Sequence, residues 1–224
     1  MKSCCIIVAG GNGSRMNSTI PKQFMQMEGV PILMHTLQRI HKFDPTLELI
    51  LVLPASEIEL WNTLCKKHVG LIPHRLVEGG ENRFESVKNG LKHTDGFELI
   101  GIHDGVRPLV SDETLRNCFE VAAIHGTAIP VLPAHESVRK GSLSHSTPVN
   151  RSDYFLVQTP QVFKSEIIHK GYLQQWRAEF TDDASVVEQI GVEVQMVYGN
   201  RENIKITYPE DLLIAETFLK VVRS

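Results

Sequence analysis

Between them, two runs in this chain bring together glycine, cations and a carboxylate in patterns suited to phosphate chemistry. The first is Ala9-Gly10-Gly11-Asn12-Gly13-Ser14-Arg15-Met16, which follows an apolar segment and precedes Pro21-Lys22-Gln23. Glycines let backbone N–H groups close on a phosphate chain without interference from a Cβ. Glycine alone would suit an ordinary strand-to-helix turn equally well. Arg15 and Lys22 add two cations able to straddle a triphosphate. The run is neither a Walker loop nor a dinucleotide fingerprint: no Gly-Lys-Ser/Thr follows four intervening residues, and Met16 stands where the third small residue would be. The second run is His103-Asp104-Gly105-Val106-Arg107-Pro108, again after an apolar segment. A carboxylate at the end of a strand can hold a hard divalent cation while water and phosphate oxygens fill the other positions. Taken alone, Asp104 would equally be a turn cap; a neighbouring phosphate loop favours the metal.

Three further runs add polar groups. Asn203-Ile204-Lys205-Ile206-Thr207 places a lysine within an apolar strand end, where it needs an anionic partner or must snorkel to solvent. Arg151 precedes Gln158-Thr159-Pro160-Gln161, and Gly79-Gly80-Glu81-Asn82-Arg83-Phe84-Glu85-Ser86 is a turn entering a helix that could meet a base and ribose. The ten histidines include no HxH or HExxH spacing, and His103 is expected to pack or cap. No Ser/His/Asp or Cys/His set suggests a covalent nucleophile. Direct phosphoryl-type transfer needs none, only positioning and charge stabilisation.

These residues need a scaffold, and the first half of the chain predicts one. Ser3–Val8, Leu47–Leu53, Ile72–Val77, Glu98–His103 and Thr127–Leu132 read as strands. Ile32–His41, Glu57–His68, Arg83–His93 and Leu115–His125 read as helices, the last with Ser111 as its start signal. The alternation predicts an α/β fold: a Rossmann-like, mainly parallel sheet with helices on both faces, binding ligands at the carboxyl ends of its strands. The pattern breaks at Pro133. Residues 134–151 are turn-rich and read as a protruding β-arm, with Tyr154-Phe155-Leu156-Val157 expected to be buried. Helices over Lys164–Arg177 and Asp182–Gln189, a strand over Val192–Tyr198 and a last helix over Asp211–Val222 follow, the last opened by a capping box from Thr207 to Glu210. One domain over 1–224 is expected, with the 134–151 arm serving dimerisation.

Composition narrows the partners. A formal charge of −3 over 224 residues argues against nucleic-acid binding through bulk positive charge. No apolar run approaches the ~18 residues of a membrane span, and Met1–Val8 runs straight into a strand without a leader's apolar region. Cys4, Cys5, Cys65 and Cys118 fit no zinc spacing; Cys4 and Cys5 should point to opposite faces of a strand as buried thiols. A reduced, cytoplasmic protein is expected.

In order and spacing, these segments resemble the 2-C-methyl-D-erythritol 4-phosphate cytidylyltransferases over nearly the whole chain. The resemblance rests on the glycine loop with Arg15, on Pro21-Lys22-Gln23, the glycine turn with Ser86, His103-Asp104 with Arg107-Pro108, Arg151, Thr159-Pro160-Gln161, Thr181-Asp182-Asp183-Ala184-Ser185, and Asn203-Ile204-Lys205 with Pro209-Glu210-Asp211-Leu212. It implies transfer of CMP from CTP to methylerythritol phosphate with release of pyrophosphate. Ala9, Gly10, Gly11 and Gly13 would hold the nucleotide by backbone contacts, with Glu81 and Ser86 at cytosine and ribose. Arg15, Lys22 and Lys205 would neutralise charge at the α-phosphate, and Asp104 would bind Mg²⁺ or another hard divalent cation. Arg107, Ser137, Arg151 and Thr159 would position the acceptor, with Arg151 reaching across a homodimer. Ser137 stands where the pattern has Thr, and Glu81 where it has Asp; both keep the polar group. Gly10 replaces a second Ala. A ribitol-5-phosphate cytidylyltransferase shares the glycine loop, Pro-Lys-Gln and His-Asp-x-x-Arg-Pro, and a non-catalytic nucleotide-binding protein could share the fold.

Overall fold

The computed structural model describes residues 1–10, 20–68 and 72–223. Its central sheet runs β10(Phe155–Val157), β7(Thr127–Pro133), β11(Gln161–Lys164), β6(Leu99–Asp104), β1(Ser3–Val8), β4(Glu48–Leu53), β5(Arg75–Glu78), with β12(Met196–Tyr198) also on β7. The pairs β1–β4, β1–β6, β4–β5 and β12–β7 are parallel; β11 is antiparallel to both β6 and β7, and β10 is antiparallel to β7. Two small hairpins, β2(Gln26–Met27) with β3(Val30–Pro31) and β8(Arg139–Gly141) with β9(Ser146–Pro148), lie apart from it.

The sheet divides two apolar layers by the two-residue period of its strands. Cys4, Ile6 and Val8 face α3(Arg83–Leu91), α5(Ser165–Gly171) and α6(Asp183–Glu188) through Phe84, Val87, Ile168, Tyr172 and Val187. Cys5 and Ile7 face α1(Ile32–Phe43) and α2(Ala55–Lys67) through Leu33, Leu37, Ile40 and Trp61. The two neighbouring cysteines thus sit in opposite layers, both fully buried. The helix α4(Asp112–His125) starts at Ser111, whose hydroxyl accepts from Thr114 N, and ends at Gly126 with φ 93°. Both are ordinary cap chemistry. Helices cover both faces of a mostly parallel sheet, as the alternation predicts.

Five expectations need correction. The helix expected over Lys164–Arg177 stops at Gly171, where α6 crosses so closely that an added Cβ would lie 3.2 Å from Val187 Cγ1. The strand expected over Ile72–Val77 occupies Arg75–Glu78, and that over Val192–Tyr198 keeps only Met196–Tyr198. The last helix, α7(Pro209–Arg223), is capped one residue later than expected: the Asp211 carboxylate accepts from Thr207 N at 2.7 Å and Tyr208 N at 2.8 Å. Tyr154–Val157, expected to be buried, forms an exposed edge beside the arm, with Leu156 60% exposed. Among the described residues no helix is long and apolar enough to cross a membrane.

Candidate active site

At the carboxyl ends of β1, β4 and β6 three chain turns approach closely. Gly105 N donates to Val8 O (2.9 Å) and Ala9 N to Val52 O (3.1 Å). A Cβ on Gly105 would stand 2.8 Å from Ala9 Cβ, so glycine permits this approach of β6 to β1. Beyond β5, Gly80 N donates to Ser86 Oγ (3.1 Å), whose hydroxyl donates to Asn82 O (2.8 Å). Asn82 caps α3 through its side-chain oxygen and Glu85 N, 2.9 Å. These turns bound a cavity of about 230 Å³ whose lining includes Ala9, Gly10, Lys22, Glu81, Ser86, Asp104 and Lys205.

Asp104 ends β6 inside that cavity. Lys205 Nζ is 3.0 Å from its Oδ2, Arg107 Nε 3.2 Å from Oδ2 and Arg83 Nε 3.7 Å from Oδ1. Burial alone would raise this carboxyl's pKa; Lys205, Arg83 and Arg107 outweigh burial and hold it well below the usual carboxylate range. Asp104 is therefore an anion at any physiological pH. A second cavity, about 270 Å³, lies against the same carboxylate and is lined by Arg83, Arg107, Thr159, Gln161, Asp182 and Lys205 among others.

Arg83 links Asp104 to a buried pair. Its guanidinium grips Asp183 through NH1 at 3.0 Å and NH2 at 2.6 Å, and Tyr172 Oη donates to the same carboxylate at 2.6 Å. Burial, then the Asp183 charge, pushes the Tyr172 hydroxyl's pKa well up, so it stays a donor. The sequence reading missed Arg83 and Asp183 because 100 residues separate them. A local signal existed: Arg83 is the first residue of α3, where the helix dipole disfavours a cation, so an anionic partner was to be expected.

Of the residues singled out by sequence, Ala9, Gly10, Lys22, Glu81, Ser86, Asp104 and Lys205 share the first cavity. Arg107 and Thr159 line the second. Lys205 lies on irregular chain rather than a strand, between Ile204 and the buried Ile206. Gly11, Gly13 and Arg15 lie outside the described residues. Ser137 is exposed, and Arg151 donates to His135 O at 2.7 Å; neither lines either cavity. Among the described residues no three His, Cys, Asp or Glu side chains cluster as a metal cage. One ionised carboxylate still fits a hard cation that takes its remaining oxygens from phosphates and water.

A mostly parallel sheet with cations ringing one carboxylate at its strand ends defines an α/β protein built to receive a phosphorylated ligand. Comparison with known proteins narrows this. A sequence model of 2-C-methyl-D-erythritol 4-phosphate cytidylyltransferase matches residues 3–221. The protein of that name from Bacteroides fragilis is 50% identical over 214 residues, covering 96% of this chain and 98% of that one. The solved 2-C-methyl-D-erythritol 4-phosphate cytidylyltransferase of Thermus thermophilus is 29% identical, with TM-score 0.79, covering 98% of this chain and 100% of that one. The 4-diphosphocytidyl-2C-methyl-D-erythritol synthase of Anaerococcus prevotii is 28% identical, with TM-score 0.81, covering 97% and 95%. The chain belongs to the 2-C-methyl-D-erythritol 4-phosphate cytidylyltransferase family, and it is a nucleotidyltransferase.

Proposed function

We propose a division of labour for the transfer of CMP from CTP to 2-C-methyl-D-erythritol 4-phosphate, the reaction of this family in non-mevalonate isoprenoid biosynthesis. The observation that carries it is Asp104, ringed by Lys205, Arg107 and Arg83 between two adjoining cavities. CTP enters the first cavity, against the backbone of Ala9, Gly10, Gly11 and Gly13, with Glu81 and Ser86 at the cytosine and ribose. The Ser86 hydroxyl already bridges Gly80 N and Asn82 O, so it serves partly by holding the turn that meets the base. The acceptor enters the second cavity, at Arg107 and Thr159.

A phosphate oxygen of the acceptor attacks the α-phosphorus of CTP. A new P–O bond forms, the bond to the bridging oxygen of the β-phosphate breaks, and pyrophosphate leaves with its electron pair; no proton need move. Negative charge grows on the α-phosphoryl oxygens, where Arg15, Lys22 and Lys205 meet it. Asp104 would hold Mg²⁺ or a similar hard cation together with phosphate oxygens; such an ion supplies further charge neutralisation. Asp104 also keeps Lys205 and Arg107 in place before substrate arrives.

The active unit in this reading is a homodimer, with the domain covering 1–224 and the arm of residues 134–151 completing its partner's acceptor site through Ser137 and Arg151. Supporting it are the exposed apolar edge Tyr154–Val157 and the position of both residues away from their own chain's cavities. A cytoplasmic location fits four free thiols and a site made for soluble small phosphates, with neither nucleic acid nor membrane as partner.

Pyrophosphate release tests the reading. It should require CTP, a divalent cation and methylerythritol phosphate together. Equal turnover with ribitol 5-phosphate would reject the acceptor, and equal turnover with UTP would reject the cytosine contacts.

A further inference from the structure

His103 and Asn203 are fully buried and line neither cavity, yet both hold Arg107. His103 Nε2 is 3.0 Å from Arg107 O, and its Nδ1 is 3.0 Å from Thr159 Oγ1. A carbonyl can only accept, so Nε2 carries the ring proton and Nδ1 accepts from the Thr159 hydroxyl. The Thr159 oxygen accepts in turn from Asp104 N at 3.0 Å. On the other side, Arg107 NH1 donates to Asn203 O at 2.8 Å, and Asn203 Nδ2 donates to Thr159 O at 2.8 Å and Gln158 Oε1 at 3.3 Å. The circuit is closed, and every donor in it has one direction. Among the described residues nothing hydrogen-bonds to the buried Asn203 Oδ1 atom.

We propose that His103, fixed as its Nε2–H tautomer, and Asn203 are positioning residues for Arg107, and so set the affinity for the phosphorylated acceptor without touching it. The inference rests on the acceptor reading above. It acts mainly at the acceptor end: Arg107 is held by this circuit, the nucleotide cavity is bounded by turns tied through Val8, Val52 and Ser86, and Asp104 is common to both.

Two substitutions dissect His103. In His103→Asn the amide oxygen stands where Nδ1 was and still accepts from Thr159, but nothing donates to the Arg107 carbonyl. In His103→Gln the amide nitrogen reaches that carbonyl. His103→Asn should raise the acceptor KM about tenfold, the scale of one misplaced hydrogen bond to a charged group, and leave the CTP KM within about twofold. His103→Gln should return the acceptor KM to within about threefold of the parent. If His103→Asn fails to fold, Asn203→Ala is the second variant: it keeps the main-chain carbonyl that accepts from Arg107 but removes the Nδ2 bonds to Thr159 O and Gln158 Oε1 that fix it, so the acceptor KM should rise by about threefold or more with the CTP KM within about twofold. Nitrogen-15 NMR of the uncomplexed protein reads the tautomer directly, and the Arg107 Nε–H signal should move in His103→Asn but not in His103→Gln. An Nδ1–H ring, an unchanged acceptor KM in His103→Asn, or equal rises in both KM values would overturn the proposal. A parent protein that turns over no polyol phosphate would instead reject the acceptor reading, while the two NMR signals still decide the positioning.

Discussion

Asp104 and Lys22 answer different questions about the chemistry, and their variants should behave differently. If Lys22, which lines the first cavity, meets charge that grows during transfer, Lys22→Ala should lower kcat roughly 10²–10³-fold and raise the CTP KM far less. A normal kcat with a raised KM would remove it from the transition state. Asp104→Asn should leave Lys205, Arg107 and Arg83 without their shared anion and abolish activity, without rescue by excess Mg²⁺. Activity with an unchanged metal requirement would reject the metal role. His103 gives a pH signature in stability rather than rate. Burial pushes its pKa from 6.5 down to about 4. Between those values the unfolded chain takes up a proton that the folded chain refuses, so stability should fall as pH drops from 6.5 toward 4. Urea midpoints across that range should slope less in His103→Asn. Lys22, Asp104 and Lys205 were legible because each sits in a short run with its own chemistry. The pairing of Arg83 with Asp183 was not, because it exists only once the first residues of α3 and α6 meet; the cation at a helix start showed that Arg83 needs an anion but not which one. The arrangement around His103 was equally hidden, since sequence shows a histidine but neither of its hydrogen-bond directions.

At the level of elements, the turn after β5 demands a glycine beside the nucleotide cavity. A Cβ on Gly80 would fall 2.4 Å from Glu85 Cβ and 2.9 Å from Glu85 C, so no flexible group can yield. Gly80→Ala should destabilise the protein by ~1–3 kcal/mol and raise the CTP KM, because the same turn carries Glu81 and is tied to Ser86. A thermal melt and a CTP titration check both; an unchanged KM would detach the turn from the nucleotide. Long apolar strands and helices with clear caps were readable to within a few residues, as at β1 and α4. Errors gathered where tertiary packing overrides local pattern. α5 ends at Gly171, where α6 packs closely against it, and Tyr154–Val157 is apolar without being covered by its own chain. The alternation of apolar side chains cannot distinguish a strand buried in one subunit from one waiting for a second.

The whole molecule is where the arm acquires meaning. If Arg151 serves the neighbouring site, mixing inactive Arg151→Ala with inactive Lys22→Ala should restore activity as subunits exchange, because each mixed dimer regains one intact site. Verified exchange without recovery, or a monomer in sedimentation at assay concentration, would reject the shared site. Thiol chemistry offers a check on the packing of the chain. Burial raises the Cys4 thiol to about 12 and leaves Cys5 and Cys118 still less ionised, whereas Cys65 is only partly buried. A charged alkylating reagent should label Cys65 first in the native protein and all four in urea.

The placement of β11 has a consequence for synthesis. β1, β4, β5 and β6 are complete once residue 104 has been made, and they can pair with one another. β7 cannot join them, because its partners β10, β11 and β12 all come later, and β6 also needs β11 along its free edge. On the ribosome, therefore, about half of the sheet can form early, while β6 and β7 wait with unpaired backbone. At elongation rates of about 5–20 residues per second, the roughly 60 residues from the end of β6 to the end of β11 leave these edges open for seconds. Open edges of that kind recruit other chains. Nascent chains stalled before β11 should therefore aggregate or hold a chaperone, and release should come with the segment that also delivers Thr159 to Asp104.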